Sequence, residues 1–84
     1  MKLNNLGANK TELTLTEGTV VFFSYRTPVA ALLPSGRYVR TAKKWSVTTS
    51  KHINQWLGPF KDSAEHEPQE FFDNIAANVW VGLL

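Results

Sequence analysis

Residues 20–57, VVFFSYRTPVAALLPSGRYVRTAKKWSVTTSKHINQWL, decide the fold. Together with Thr19 just before it, the run to Arg26 is rich in β-branched and aromatic residues, the composition of a strand over Thr19 to Arg26. Val21, Phe23 and Tyr25 share one side of it; Val20, Phe22, Ser24 and Arg26 share the other. Both sides begin apolar, so the strand is expected to be central and covered on both faces. Thr27-Pro28 then interrupts the run, because proline lacks the ladder donor and marks a strand start, an edge or a bend. Val29 to Leu33 is a second apolar run. Pro34-Ser35-Gly36 supplies a turn, with Pro at a favoured second position and Gly where positive φ is needed. Arg37 to Thr41 returns as the partner strand, with Tyr38 and Arg40 on one side and Arg37, Val39 and Thr41 on the other. After the basic connector Ala42-Lys43-Lys44-Trp45, the run Ser46-Val47-Thr48-Thr49-Ser50 offers hydroxyl caps for a helix. Ile53, Trp56 and Leu57 form its apolar face, and Gly58-Pro59 ends it.

Outward from that stretch, Glu12 to Thr16 alternates polar and apolar residues, and Glu17-Gly18 turns it into a hairpin with the central strand. Residues 1–10 read as an arm or a short edge strand. On the far side, Ser63 to Pro68 is expected to start a last helix. Phe71, Phe72, Ile75, Ala76, Val79 and Trp80 make its apolar stripe, opposite Gln69, Glu70, Asp73, Asn74 and Asn78. The expected architecture is α+β: a small antiparallel sheet of three to four strands with two C-terminal helices packed on one face.

Length and charge narrow the function classes. Eighty-four residues, 1–84, are read as one domain, whose short chain makes each large side chain count. There is no cysteine, which removes disulfides, thiol nucleophiles and cysteine metal sites together. No run of apolar residues is long enough to span a membrane. The net charge of +2 conceals an asymmetry: residues 18–60 hold six basic groups and no acidic one, whereas residues 61–84 hold five carboxylates against Lys61. Such segregation points to an anionic partner, or to an acidic helix that neutralises a basic sheet.

Few residues promise catalysis. His52 and His66 are the only histidines, and no serine sits on a glycine elbow. His66-Glu67 lacks the second histidine of a zinc-protease helix, and Glu67, Glu70 and Asp73 fit a solvated helix face better than a metal site. No enzyme activity, metal or other cofactor is therefore expected. Two binding features remain. The run Thr48-Thr49-Ser50-Lys51 at a helix start could receive a phosphate, although plain capping accounts for it as well. Arg26, Arg37, Arg40, Lys43 and Lys44, interleaved with Tyr25, Tyr38 and Trp45, resemble a strand surface where phosphates are neutralised and bases stack, with Tyr38 and Trp45 as the stacking rings.

The runs Phe23-Ser24-Tyr25-Arg26-Thr27-Pro28-Val29-Ala30, Gly36-Arg37-Tyr38-Val39-Arg40-Thr41 and Ser46 to Leu57 are similar to small uncharacterised domains encoded by bacteriophages and other bacterial mobile elements. The resemblance covers residues 20–57, and its densest part is TTSKHINQWL. It implies a phage or prophage origin and action in the cytoplasm of the bacterial host, and it carries over no activity. The expectation is a non-enzymatic binding module that takes nucleic acid on its basic, aromatic strand surface. Two alternatives stand beside it: a protein-directed inhibitor of a host or defence factor, anti-CRISPR-like in kind, and a nucleotide-sequestering protein using Thr48, Thr49, Ser50 and Lys51. Self-association through the apolar tail Leu83-Leu84 to form a homo-oligomer is left open.

Overall fold

Short turns join the first five strands, so each zips against its predecessor as an antiparallel neighbour. In the computed structural model, which describes the backbone of residues 2–83 and the side chains of residues 2–77, these are β1 (Lys2–Gly7), β2 (Lys10–Thr14), β3 (Val20–Ser24), β4 (Thr27–Leu32) and β5 (Tyr38–Thr41). Helix α1 (Val47–Leu57) and a 3-10 turn (Gly58–Phe60) follow. The chain then returns as β6 (Glu65–Glu67), parallel to β5, and ends in α2 (Gln69–Leu83). The sheet has six strands in sequence order, β1 to β6. It is small and α+β, as expected, but it holds six strands rather than three to four and is mixed rather than purely antiparallel.

The central strand is β3, and Val21, Phe22, Phe23 and Ser24 in it are all buried. Its alternation sorts the core into two layers. Phe22 pairs with Ala30, and both pack with Val29, Ile53 and Leu57 under α1. Val21 and Phe23 point the other way, where with Leu13 they meet Ala76 of α2. Ala31 and Val39 on that same side close around Phe72. The two helices therefore cover opposite faces, not one face. The reason is the connection: a parallel return from β5 to β6 needs a crossover, and α1 is that crossover on one side, leaving the other to α2. Phe22, beneath α1, and Phe72, on the sheet-facing side of α2, are fully buried, so truncating either to Ala is expected to cost about 3–5 kcal/mol.

Local chemistry sets the boundaries. Pro28 sits beside the register shift between Phe22 and Phe23, next to the start of β4, where a missing amide is tolerated. Ser46 caps α1: its Oγ accepts from the Thr49 amide at 3.1 Å. Gly58 closes the helix at φ +58, a conformation that side chains disfavour. The last helix begins later than its composition suggests. Proline pushes the residue before it into extended backbone, so Glu65-His66-Glu67 forms β6 and α2 starts only at Gln69. Of the expected α2 stripe, Phe72 and Ala76 are buried and Phe71 and Ile75 half-buried. The side chains of Asn78, Val79, Trp80, Leu83 and Leu84 lie outside the described residues.

Candidate functional site

The cationic side chains of the middle segment do not all meet. Arg37 lies in the β4–β5 turn, where its guanidinium donates to Glu65 Oε2 in an ion pair. Arg40 lies on the α1 face and donates from Nη1 to Asn54 Oδ1 at 3.0 Å, while its Nε is buried without a partner. Tyr38, beside it on that face, is half-buried and stacked on Phe60, with ring centroids 4.7 Å apart. Trp45 is also half-buried, and its Nε1 donates to Gln69 Oε1 at 3.1 Å. The strand surface read from sequence is thus partly closed by α1 and the 3-10 turn.

A different grouping forms at the end of the sheet where β3 turns into β4. Tyr25 and Arg26 are the two turn residues there, and both are exposed. Tyr25 holds φ +60, a left-handed conformation at a hairpin position that usually carries glycine. Its amide donates to the Asn9 carbonyl at 2.7 Å, which sets the β1–β2 turn alongside. Its ring lies 5.9 Å from that of His52, a tilted contact that leaves Tyr25 half exposed to solvent, at 50%. The first turns of α1 stand over the same end, because Ser24 Oγ bonds both Thr49 Oγ1 at 3.2 Å and His52 Nδ1 at 2.8 Å.

Gln69 ties the third side together. Its Nε2 donates to the Pro28 carbonyl at 2.7 Å, and its Oε1 accepts from Trp45 Nε1 and from Thr41 Oγ1. The β5–α1 connector, with exposed Lys43 and Lys44, is held beside the start of β4 as a result. Lys43 Nζ rests 4.3 Å from the Trp45 ring centroid. Lys51 is exposed on the second turn of α1. Arg26, Lys43 and Lys44 therefore rim one end of the sheet, with Lys51 on the outer face of α1, and none of the four makes an ion pair among the described residues. Glu67, Glu70 and Asp73 belong to the α2 side of that end, where Asp73 accepts from Gln69 Nε2.

The Thr48-Thr49-Ser50-Lys51 run is largely committed to structure. Thr49 is buried and accepts from Ser46 Oγ and Ser24 Oγ, and the Ser50 amide donates to the Ser46 carbonyl. Thr48 and Lys51 remain open to solvent, and Ser50 is half-buried. The Ser24–His52 pair has the spacing of a nucleophile and its base, but Ser24 is only 1% exposed. Its hydroxyl orients the imidazole rather than meeting a substrate. Among the described residues no cluster of His, Asp or Glu could hold a metal ion, and no helix is long and apolar enough to cross a membrane.

Residues 1–74 match the model of a family of unknown function, DUF8033. The chain belongs to that family. No curated protein and no solved structure matches it. The DUF8033 match takes in all six strands, α1 and the start of α2, and so includes every side chain of the candidate site. The sequence grouped Tyr25 with the aromatics of the basic surface but read it as strand, since a tyrosine in a two-residue turn is unexpected. One residue of the site was not singled out. Gln69 gave no signal, because a clamp is visible only once β4, β5 and α2 are side by side.

Proposed function

We propose that this chain is a non-enzymatic binding module that takes nucleic acid at the β3–β4 end of its sheet. The observation that carries the reading is Tyr25, half exposed in a conformation tyrosine disfavours, beside Arg26 and within a rim completed by Lys43 and Lys44. Strain held at an exposed aromatic is a mark of use. A base stacks on such a ring whatever its identity, and the cations neutralise the phosphates on either side. Arg37 and Arg40 have no part in this version, being held by Glu65 and Asn54. The resemblance over residues 20–57 supports a phage or prophage origin and action in the host cytoplasm.

Fluorescence anisotropy with short single- and double-stranded oligonucleotides tests the proposal. Binding is expected at low salt, weakening steeply as salt rises. The triple variant Arg26→Ala, Lys43→Ala, Lys44→Ala loses it, and Arg37→Ala keeps it. Absence of binding at low salt, or an equal loss in Arg37→Ala, overturns the reading.

A second reading is favoured by one observation. Strand β1 is an open sheet edge, with Leu3 68% exposed and Leu6 also exposed, the arrangement by which an extended segment of another protein adds a strand. A protein-directed inhibitor of a host or defence factor would use it. Recovery of one stoichiometric partner from nuclease-treated host lysate, lost in a Leu3→Lys variant, supports that reading; recovery of nothing removes it.

A further inference from the structure

The α1 face carries a groove of about 510 Å³ that none of the above uses. It lies beside α1, over β2 and β3, and falls within the usual size range of small-ligand sites. Lys10, Glu12, His52, Gln55, Trp56 and Tyr38 line it, over the buried edge of Phe22. Its polar groups are set in order along β2. Lys10 is at the end next to Tyr25, where its Nζ leans on Gln55 Oε1 at 3.4 Å and His52 is close by. Glu12 follows two residues further on, on the same face of the strand.

Glu12 is unusually well held for a carboxylate on a sheet. Its Oε2 accepts from Trp56 Nε1 at 2.9 Å and its Oε1 from Asn4 Nδ2 at 3.2 Å. Each oxygen has a second lone pair, so the fixed carboxylate can still accept two parallel donors. The rings beside it are fixed as well. Trp56 stacks on Phe22 with centroids 5.3 Å apart, and Tyr38 meets the Trp56 ring edge-on at 6.0 Å. At the other end, Ser24 Oγ lies within hydrogen-bond distance of both Thr49 Oγ1 and His52 Nδ1. That contact fixes the imidazole ring at the end of the groove.

A lone cation would be repelled by Lys10, and a lone anion by Glu12. The complementary ligand has a flat apolar body, an anionic end and a pair of adjacent donors. We infer that this groove binds a guanine nucleotide, with Glu12 accepting from the N1–H and the exocyclic amine of the base, and Lys10 meeting the phosphate. Guanine is the base whose pairing edge offers two neighbouring donors to one carboxylate. The inference rests on the nucleic-acid reading above and deepens it: a strand stacked on Tyr25 would place its next base in the groove. The protein then prefers single strands with a guanine at that position.

Titration with the four nucleoside 5′-monophosphates, followed on the indole N–H signal of Trp56, decides the matter; a Trp56→Phe variant assigns the signal. Guanosine monophosphate is expected to shift it saturably, and the other three to bind at least about tenfold more weakly. Glu12→Gln keeps an acceptor for Trp56, yet sets an amide donor against the base and should lose the guanine preference. Lys10→Ala should weaken the monophosphate and leave guanosine unchanged. No shift with any nucleotide at millimolar concentration overturns the inference, as does an equal response to all four that Glu12→Gln leaves intact. Anisotropy on the same samples separates the two proposals: oligonucleotide binding without a guanine response removes the groove alone, and loss of both removes the reading beneath it.

Discussion

Tyr25 puts function and stability in opposition at a single position. A left-handed residue with a side chain costs roughly 1–2 kcal/mol relative to glycine, and little packing offsets it at a half-exposed turn. Tyr25→Gly is therefore expected to raise stability by about 0.5–1 kcal/mol, read from denaturant midpoints, while weakening oligonucleotide binding. Loss of one stacked base corresponds to about 1–3 kcal/mol of affinity. Arg37 is the control at the same scale. Its ion pair with Glu65 is exposed on both sides, so Arg37→Ala should change stability by no more than about 1 kcal/mol and binding hardly at all.

Among the elements, α1 is the one whose sequence speaks most directly. Ser46, the apolar positions Ile53 and Leu57, and Gly58 all stand where cap and face rules place them, because these rules act within one or two turns. Ser46→Ala should cost about 1 kcal/mol and lower the melting temperature by about 4–8 °C, followed by circular dichroism. Strand β3 was equally legible from its two apolar sides. Strand β6 was not: Glu65-His66-Glu67 has no β-forming side chain, and only pairing with Val39, Arg40 and Thr41 makes it a strand. Pro68→Ala is expected to loosen that boundary, which amide exchange at Glu65 to Glu67 would register as faster exchange. The placement of the helices on opposite faces depends on that same pairing, and so was hidden with it.

For the whole molecule, the basic segment was legible as composition but not as a surface. Spacing along the chain says nothing of which turn ends up at which end of a sheet. Arg26 and Lys43 converge although 17 positions apart, while Arg37, only six before Lys43, belongs to the opposite end. The binding proposal has a collective signature. Removing Lys43 and Lys44 together should lower the slope of log affinity against log salt by about 1.4 for single strands.

The parallel pairing of β5 with β6 also orders assembly in time. Strands β1 to β5 need only their immediate neighbours and can close as hairpins while the chain is still being made. Strand β6 must wait for the helix and turn between residues 47 and 60, and until it arrives the hydrogen-bonding edge of β5 stands bare. The nascent chain thus passes through an interval with two unprotected edges, β1 and β5, and the three residues Glu65 to Glu67 act as the latch that ends it.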